Sequence, residues 1–483
     1  MKNIRLYTFT AAFSGLFLLA LGCGKKAQTS GDTIIPVTPV TPVTPVKTDV
    51  SMWLTMPDQT KLLEKQNISL LFSSTANQNS TITVDTTQTF QKIDGFGFAL
   101  TGGSASLINS MPDATKTSLL QELFSLDPSS IGVSYIRITI GASDMSAAPF
   151  TYDDVAGDVT LQNFSLAMEK TDLIPILQKI VAINPNIKIL ACPWSAPAWM
   201  KDSGNLSGGS LLPANFSVYA NYFVKYIQGM QAAGINIDAI TPQNEPLNPS
   251  NNPAMVMQSA DEATFIKNNL GPAFQAAGIK TKIIVYDHNC DHPEYATDIL
   301  ADNAASPFVD GSAFHLYAGN INALLGVHNA YPTKNIYFTE QATFVGGNFG
   351  GDLSWHLNNL IIGATRNWSK NVIEWVLATD LNNGPHTNGG CSTCLGAVTI
   401  GTSVTRNVAY YIIAHASKFV KTGAVRIGSD ETTMLNVAFK NPDGSKVLIV
   451  LNNTGASQTF NIQFNSKTVT STLPNGAVAT YKW

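Results

Sequence analysis

Short apolar, β-rich segments alternate eight times along the chain with longer segments whose apolar residues recur at helical spacing. This alternation predicts a (β/α)8 TIM barrel, in which eight parallel strands are each followed by a helix. The predicted strands are Ile93–Leu100, Val133–Ile140, Ile187–Cys192, Ile237–Thr241, Lys282–Asp287, Gly311–Tyr317, Asn335–Glu340 and Val372–Ala378. Helices are predicted between them, for example over Asp172–Ile183, Tyr219–Ala233, Asp261–Ala277 and Leu353–Asn367.

From about Lys418 the pattern changes to short β-rich runs with no helical segments between them. Turn sequences such as Asn441-Pro442-Asp443-Gly444 separate the runs, which is typical of antiparallel strands. We therefore expect an all-β side sandwich attached to the barrel. Two early runs, Ile68–Phe72 and Thr81–Val84, could complete its sheet.

The N-terminus has the pattern of an export signal rather than of a folded segment. Lys2 and Arg5 precede an apolar stretch, Tyr7–Leu21, that is too short to span a membrane. Leu19-Ala20-Leu21-Gly22-Cys23 then resembles a bacterial lipobox, which predicts lipidation at Cys23; a plain cleaved signal peptide is the alternative. An acylated cysteine would anchor the protein in the cell envelope, on the periplasmic side or at the cell surface.

These patterns divide the chain into five parts. Residues 1–23 are the predicted signal peptide, and residues 24–50 are a linker in which proline recurs every third residue, as in a polyproline II stalk. Residues 51–90 contribute strands to the side domain, 91–417 form the barrel, and 418–483 form the C-terminal sandwich.

Composition and charge narrow the possible functions. The 483 residues are 44% hydrophobic and 13% charged, which indicates a large core, and the net charge of −4 offers no basic field for nucleic acid. We expect no obligate protein partner and no cofactor. Cys391-Ser392-Thr393-Cys394 could form a local disulfide; with His386 nearby it could instead bind zinc, but no fourth ligand is apparent, so we predict no metal.

Two glutamates are the strongest candidates for chemistry. Glu245 follows the fourth predicted strand, and Glu340 ends the seventh. Active sites of TIM barrels lie at the carboxyl ends of the strands, so these residues can share one cleft. Glycoside hydrolysis requires such a pair, with Glu245 suited to general acid/base catalysis and Glu340 to nucleophilic attack. Opposed environments should then leave Glu245 protonated and Glu340 ionised at rest.

Polar and aromatic residues at the other predicted strand ends favour a sugar site over a merely structural role. Asn244 could donate a hydrogen bond to a sugar 2-hydroxyl. Tyr317 could orient Glu340, and Arg137 could fix a catalytic carboxylate without contacting the substrate. Trp194 and Trp375 could stack on a sugar face, and Asp144 could bind sugar hydroxyls. The strand-end residues are Asp144, Trp194, Asn244, Asp287, His288, His315, Tyr317 and Trp375.

Several of these segments together resemble glycoside hydrolase family 30, the glucosylceramidase and β-1,6-glucanase family, from about Phe90 onward. The matching segments are Gln91–Gly97, Ile136-Arg137, Ala142–Asp144, Pro193–Lys201, Gly208–Leu211, Asn244–Pro246, Thr339-Glu340 and His415–Val420. The resemblance implies a retaining mechanism with Glu245 as acid/base and Glu340 as nucleophile. It also implies glucose-pocket roles for Asp144, Trp194, Asn244, His315 and Trp375.

The loop Gly384–Cys394 differs from the corresponding loop of the mammalian lysosomal glucosylceramidase, which disfavours a ceramide substrate. We therefore expect cleavage of a β-1,6-glucan or a related β-glucoside. Glucosylceramidase activity is the nearest alternative, and xylanase or β-fucosidase activity fits less well. A non-catalytic carbohydrate-binding lipoprotein or a purely structural envelope lipoprotein would not need both glutamates.

Overall fold

The computed structural model describes residues 46–431 and 434–483. The predicted signal peptide, Cys23 and most of the proline-rich linker lie outside these residues. Within the described part of the chain, no helix combines the length and apolar character needed to cross a membrane.

Three strands precede the barrel in sequence: β1 (Ser51–Thr55), β2 (Glu64–Lys65) and β3 (Ser80–Lys92). Eight parallel strands then close into a barrel, which confirms the predicted fold class. The first six are β4 (Gly95–Leu100), β5 (Tyr135–Thr139), β6 (Lys188–Cys192), β7 (Ala239–Ile240), β8 (Lys282–Cys290) and β9 (Val309–Gly319). After β10 (Asn335–Glu340) comes a short strand outside the barrel, β11 (Thr343–Phe344), and β12 (Ser369–Glu374) closes the barrel between β10 and β4.

Helices surround the barrel and bury apolar residues against it. They are α1 (Gly102–Ser110), α2 (Asp113–Phe124), α3 (Leu173–Ile183), α4 (Phe216–Ala232), α5 (Ser259–Phe265), α6 (Gly271–Ala276), α7 (Glu294–Ala301), α8 (Ala323–Ala330), α9 (Phe349–His356) and α10 (Val408–Ser417). The helices predicted over Asp261–Ala277 and Leu353–Asn367 each include a π-helical turn, at Ile266–Leu270 and Leu357–Ala364.

The loop after the eighth barrel strand carries four short strands. They are β13 (Ala378–Thr379), β14 (Cys394–Leu395), β15 (Val398–Ile400) and β16 (Val404–Arg406). Strand β14 pairs with β11, so this loop is fastened to the segment that directly follows Glu340.

The side domain is built from both ends of the described chain. Its C-terminal strands are β17 (Val425–Ser429), β18 (Leu435–Lys440), β19 (Lys446–Leu451), β20 (Gln458–Phe464), β21 (Lys467–Leu473) and β22 (Val478–Lys482). Strand β1 pairs with β22, and the long β3 pairs with both β17 and β20, which joins the two halves of the sheet.

The strand predicted over Ile68–Phe72 is wrong. Ile68 and Leu71 are exposed, and Leu70 alone in this run is buried, so the run has no continuous apolar face to bury in the sheet. The backbone oxygen of Leu70 accepts from Asp49 and Val50, which fixes the segment as an ordered loop.

Two side-chain layers fill the inside of the barrel. The lower layer is apolar and consists of Tyr135, Leu190, Ala239, Ile284, Ala313, Tyr337 and Ile373. Two residues further along the same strands, side chains return to the same face and form an upper layer. That layer is mostly polar and contains Arg137, Cys192, Thr241, His315, Thr339 and Trp375. The barrel core therefore changes from apolar to polar towards the carboxyl ends of its strands.

Candidate active site

Arg137 lies at the centre of the upper layer and is almost completely buried. Its Nη1 donates to Glu340 Oε2 at 2.6 Å, and its Nη2 donates to Asn244 Oδ1 and Asp287 Oδ2, both at 2.7 Å. One guanidinium thus connects residues from β10, from the segment after β7 and from β8. Because charge-assisted hydrogen bonds are short and directional, Arg137 fixes the orientation of Glu340.

Asp287 is the fully buried partner that holds Arg137 in place. Its two oxygens also accept from Thr241 at 2.7 Å, from Cys192 Sγ at 3.0 Å and from Thr339 at 2.6 Å. Burial acts to raise the pKa of Asp287, but the positive charge of Arg137 and the contact with His315 hold that pKa well below its usual range. Asp287 is therefore a buried carboxylate whose charge is compensated by hydrogen bonds and ion pairs.

His315 connects Asp287 to both glutamates. Its Nε2 lies 3.1 Å from Asp287 Oδ1, and its Nδ1 lies 3.2 Å from Glu245 Oε1 and 3.8 Å from Glu340 Oε1. Burial alone would lower the pKa of His315, but the charge of Glu340 and the hydrogen bonds to Asp287 and Glu245 raise it to about 9. The raised pKa of His315 therefore favours a protonated ring at neutral pH.

Glu245 follows β7 in a left-handed backbone conformation, with φ of 44°. Its Oε2 accepts from Asn248 Nδ2 at 2.8 Å. Burial raises the pKa of Glu245, but the hydrogen bond and charge of His315 outweigh burial and lower it to about 2. The expectation that Glu245 is itself protonated at rest is therefore wrong for the unliganded site, because the pairing of Glu245 with His315 was not foreseen.

Glu340, at the end of β10, is held through both oxygens. Arg137 binds Oε2, and the hydroxyl of Tyr317 donates to Oε1 at 2.9 Å. Burial raises the pKa of Glu340 above its ordinary value. The charges of His315 and Arg137 act in the opposite direction but do not outweigh burial. Oxygens of Glu245 and Glu340 lie within 4.8 Å of each other.

These two carboxylates face an open cavity of about 510 Å³, a size typical of small-molecule sites. Most of the predicted site residues border it. The lining residues are Asp144, Trp194, Glu245, Leu247, Asn248, Asn251, His288, Asn289, Tyr317, Glu340, Phe344, Trp375, Cys391 and Cys394. Asn244 and His315 do not line the cavity but contact the site, Asn244 through Arg137 and His315 through Glu245.

Asp144 is fixed by the loop that follows the eighth barrel strand. The backbone N–H of Cys391 donates to Asp144 Oδ2 at 3.3 Å, and that of Thr387 donates to Asp144 O at 2.8 Å. Cys391 and Cys394 form a disulfide, so neither sulfur is a free thiolate for zinc. Burial and the charges of Glu340 and Glu245 raise the pKa of Asp144 to about 7, despite the Cys391 hydrogen bond.

The two tryptophans contribute less ring surface than the sequence suggested. Trp194 and Trp375 pack together with centroids 5.4 Å apart, and the Arg137 guanidinium lies 4.9 Å from the Trp194 ring centroid. They are only 2% and 3% exposed, so mainly ring edges border the cavity. The broadly exposed aromatic side chains at the cavity are Tyr317 and Phe344.

Sequence reasoning left several site residues without a role. Asp287 and His288 were noted at a strand end, but the ion pair between Asp287 and Arg137 was not foreseen. Asn248 was missed, although its position three residues after Glu245 is a usable signal. Glu245, His315 and Glu340 are close enough to be considered as metal ligands, but both ring nitrogens of His315 already contact carboxylates, Nε2 that of Asp287 and Nδ1 that of Glu245.

A pair of close carboxylates, held by buried cations at the carboxyl end of a (β/α)8 barrel, defines the class of protein: a glycoside hydrolase. The chain belongs to glycoside hydrolase family 30. The model of the family's TIM-barrel domain matches residues 93–420, and that of its β-sandwich domain matches residues 423–481. The family predicted from the sequence is thereby confirmed.

Similar proteins include two kinds of enzyme. The chain is 38% identical over 407 residues to an endo-1,6-beta-D-glucanase of Aspergillus fumigatus, covering 77% of this chain and 81% of the relative. It is 29% identical over 445 residues to the lysosomal acid glucosylceramidase of Mus musculus, covering 84% and 85%. The solved structure of the endo-beta1,6-glucanase BT3312 has a TM-score of 0.86 at 38% identity, covering 90% of this chain and 99% of that one.

Proposed function

We propose that this hydrolase cleaves β-1,6-linked glucan with retention of anomeric configuration. The observation that carries the retaining mechanism is the approach of Glu245 and Glu340 oxygens to within 4.8 Å. Retaining enzymes keep their two carboxyl groups about 5–5.5 Å apart, whereas inverting enzymes need about 6.5–9.5 Å to admit a water. The 38% identity to endo-1,6-glucanases supports the linkage.

In the proposed first step, Glu340 attacks the anomeric carbon while Glu245 gives a proton to the departing glycosidic oxygen. The carbon–oxygen bond breaks as the glycosyl–Glu340 ester forms. In the second step, Glu245 takes a proton from water, whose oxygen displaces Glu340 at the same carbon. Two inversions return the starting configuration.

The proton for the first step is proposed to be shared by Glu245 and His315. Their 3.2 Å contact couples the two groups, so one proton belongs to the pair rather than to either residue. With the pKa of His315 raised to about 9, the pair keeps this proton at neutral pH. As negative charge develops on the leaving oxygen, the proton can pass through Glu245 Oε1.

Glucose is proposed to bind against Asp144, Asn244, Trp194 and Trp375, with Tyr317 and His315 orienting the glutamates. Since Asn244 Oδ1 accepts from Arg137, its amide N–H groups remain to donate to the sugar 2-hydroxyl. Asp144 is held by the loop that departs from the lysosomal enzyme, which supports a glucan rather than a ceramide substrate.

Glucosylceramidase activity remains the second candidate, because the similarity to the murine enzyme spans most of both chains. Assaying the purified protein on β-1,6-, β-1,3- and β-1,4-glucans, xylan and glucosylceramide distinguishes these functions. NMR of the first product should show the β-anomer from β-1,6-glucan. An α-anomer would refute retention, and release of glucose from glucosylceramide alone would refute the glucan.

We further propose that the protein is exported and anchored through an acylated Cys23. The lipobox-like sequence and the proline-rich linker after it support this arrangement. Metabolic labelling with a radioactive fatty acid should mark the full chain but not Cys23→Ser. Equal labelling of both proteins, or of neither, would refute the anchor.

A further inference from the structure

The cavity wall next to Glu245 contains two residues that the proposed chemistry has not used, His288 and Asn289. Both lie on β8, directly after Asp287. In a regular strand Asp287 and His288 would point to opposite faces. Here the β8–β9 pairing shifts register between Tyr286 and His288, and Tyr286 and Asp287 have φ of 78° and 57°.

Because of this irregularity, two consecutive side chains of β8 both point towards the site. Asp287 turns inward to bind Arg137, while the next side chain, His288, borders the cavity. Left-handed conformations at residues other than glycine are unfavourable and persist mainly at functional sites. The position of His288 at the cavity is therefore a consequence of this irregular backbone and not of regular strand geometry.

Hydrogen bonding fixes the protonation state of the His288 ring. Its Nδ1 accepts from the backbone N–H of Asn289 at 2.7 Å, which requires the proton of the neutral ring to be on Nε2. Burial lowers the pKa of His288 to about 4, so the ring is neutral at physiological pH. Among residues 46–431 and 434–483, no protein group accepts a hydrogen bond from Nε2, which leaves one N–H available to a ligand.

Asn289 is oriented in a similar way. Its Oδ1 accepts from the backbone N–H of Tyr317 at 2.9 Å, so its Nδ2 amide is left as a donor at the cavity. The two neighbouring residues together present fixed, uncharged N–H donors. Neutral donors suit the hydroxyl and ring oxygens of a sugar better than they suit a charged ligand.

The position of these donors indicates which sugar they contact. The His288 ring centroid lies 6.4 Å from that of His315, which in turn contacts Glu245. Glu245 is the proposed acid that protonates the leaving oxygen, so His288 lies on the side of the cavity where that oxygen departs. A 1,6-linkage adds a freely rotating C5–C6 bond, so a leaving sugar needs contacts of its own to be held.

We propose that His288 and Asn289 form the subsite for the sugar on the leaving-group side, with His288 Nε2 donating to one of its oxygens. This inference rests on the proposed glucanase function. It makes His288 a residue that sets substrate preference without taking part in bond cleavage.

The test compares two substrates of the full-length protein. A β-1,6-linked gluco-oligosaccharide has a leaving-group sugar, and 4-nitrophenyl β-glucoside does not. For His288→Ala, kcat/KM should fall at least tenfold more on the oligosaccharide than on the aryl glucoside, mainly through KM. His288→Gln, whose amide can still donate, should recover part of this difference.

His292→Ala is the matched control, because His292 is an exposed histidine on the adjoining segment and does not line the cavity. It should behave as the wild type on both substrates. Equal losses on the two substrates for both His288 variants, or no loss on either, would overturn the subsite. If the wild-type protein does not cleave β-1,6 linkages, the proposed linkage fails. The losses of kcat/KM in His288→Ala are then compared between the glucan that the protein does cleave and the aryl glucoside.

Discussion

The two layers inside the barrel differ in chemistry although they are only two residues apart on the same strands. The lower layer, from Tyr135 to Ile373, is apolar and gains its stability from burial. The upper layer places Arg137 and His315 out of contact with bulk water beside the buried Asp287, which is favourable only because each charge has partners. The lower layer therefore supports the fold, and the upper layer holds the proposed catalytic carboxylates in position.

The largest effect should come from the proposed nucleophile, Glu340, which Arg137 of the upper layer holds in position. Glu340→Gln keeps the shape of the side chain but removes the attacking carboxylate, so turnover of β-1,6-glucan should fall by more than about 10⁴-fold. The melting temperature should stay close to that of the wild type. Near-normal turnover would rule out Glu340 as the nucleophile.

The next largest effect is expected at Arg137, whose positive charge compensates the negative charges of Asp287 and Glu340. Arg137→Met leaves both carboxylates buried without this cation and should lower the free energy of unfolding by about 3–5 kcal/mol. It should also raise the pKa of Glu340. Activity requires ionised Glu340 and is lost as pH falls through that pKa, so the acid limb of the pH profile should move to higher pH.

Arg406→Met is the matched control for Arg137, because Arg406 pairs with Glu122 near the surface. Surface pairs contribute only about 0–1 kcal/mol, so its stability and its acid limb should change little. An acid limb that does not move in Arg137→Met would contradict the role given to the guanidinium.

A smaller effect is expected at His315. In the wild type the His315–Glu245 pair loses its proton near the pKa of His315, which is raised to about 9, and activity should fall as pH rises through that range. In His315→Gln the proton must reside on Glu245 alone, so the basic limb should move to lower pH. An unchanged basic limb in a pH profile of kcat/KM would exclude the shared proton.

The smallest effect on catalysis should follow a change in the lower layer. Ile284→Ala removes a fully buried side chain and should cost about 2–5 kcal/mol in the free energy of unfolding, against about 0.5–1.5 kcal/mol for Ile284→Val. Below the unfolding transition, kcat of Ile284→Ala should stay near the wild-type value. A large loss of kcat without loss of stability would mean that the layers are not separable.

The sequence predicted the structure well where the burial of apolar residues determines each strand. Runs of buried apolar residues predicted all eight barrel strands, and the seventh was predicted with the observed bounds, Asn335–Glu340. Counting those strands placed Glu245 and Glu340 at the same end of the barrel. Ile68–Phe72 failed because it is apolar in composition but lacks a face that the sheet can bury.

The electrostatics of the site could not be predicted in this way. The pKa directions depend on which charges meet across strands, and neither the Glu245–His315 nor the Arg137–Asp287 contact is visible from local patterns. The irregular backbone at Tyr286 and Asp287 was equally hidden. Tyrosine does not favour φ above zero, and Asp287, although aspartate tolerates that region, ends an apolar run that predicts extended backbone.

The central claim, that the two glutamates have distinct roles in a double displacement, is tested most directly by azide rescue. Glu245→Ala and Glu340→Ala are each incubated with an aryl β-glucoside and azide, and the glucosyl azide is identified by NMR. We predict β-glucosyl azide from Glu245→Ala, because azide attacks the Glu340 ester, and α-glucosyl azide from Glu340→Ala, because azide replaces the nucleophile. The reverse assignment of the two products would contradict the account.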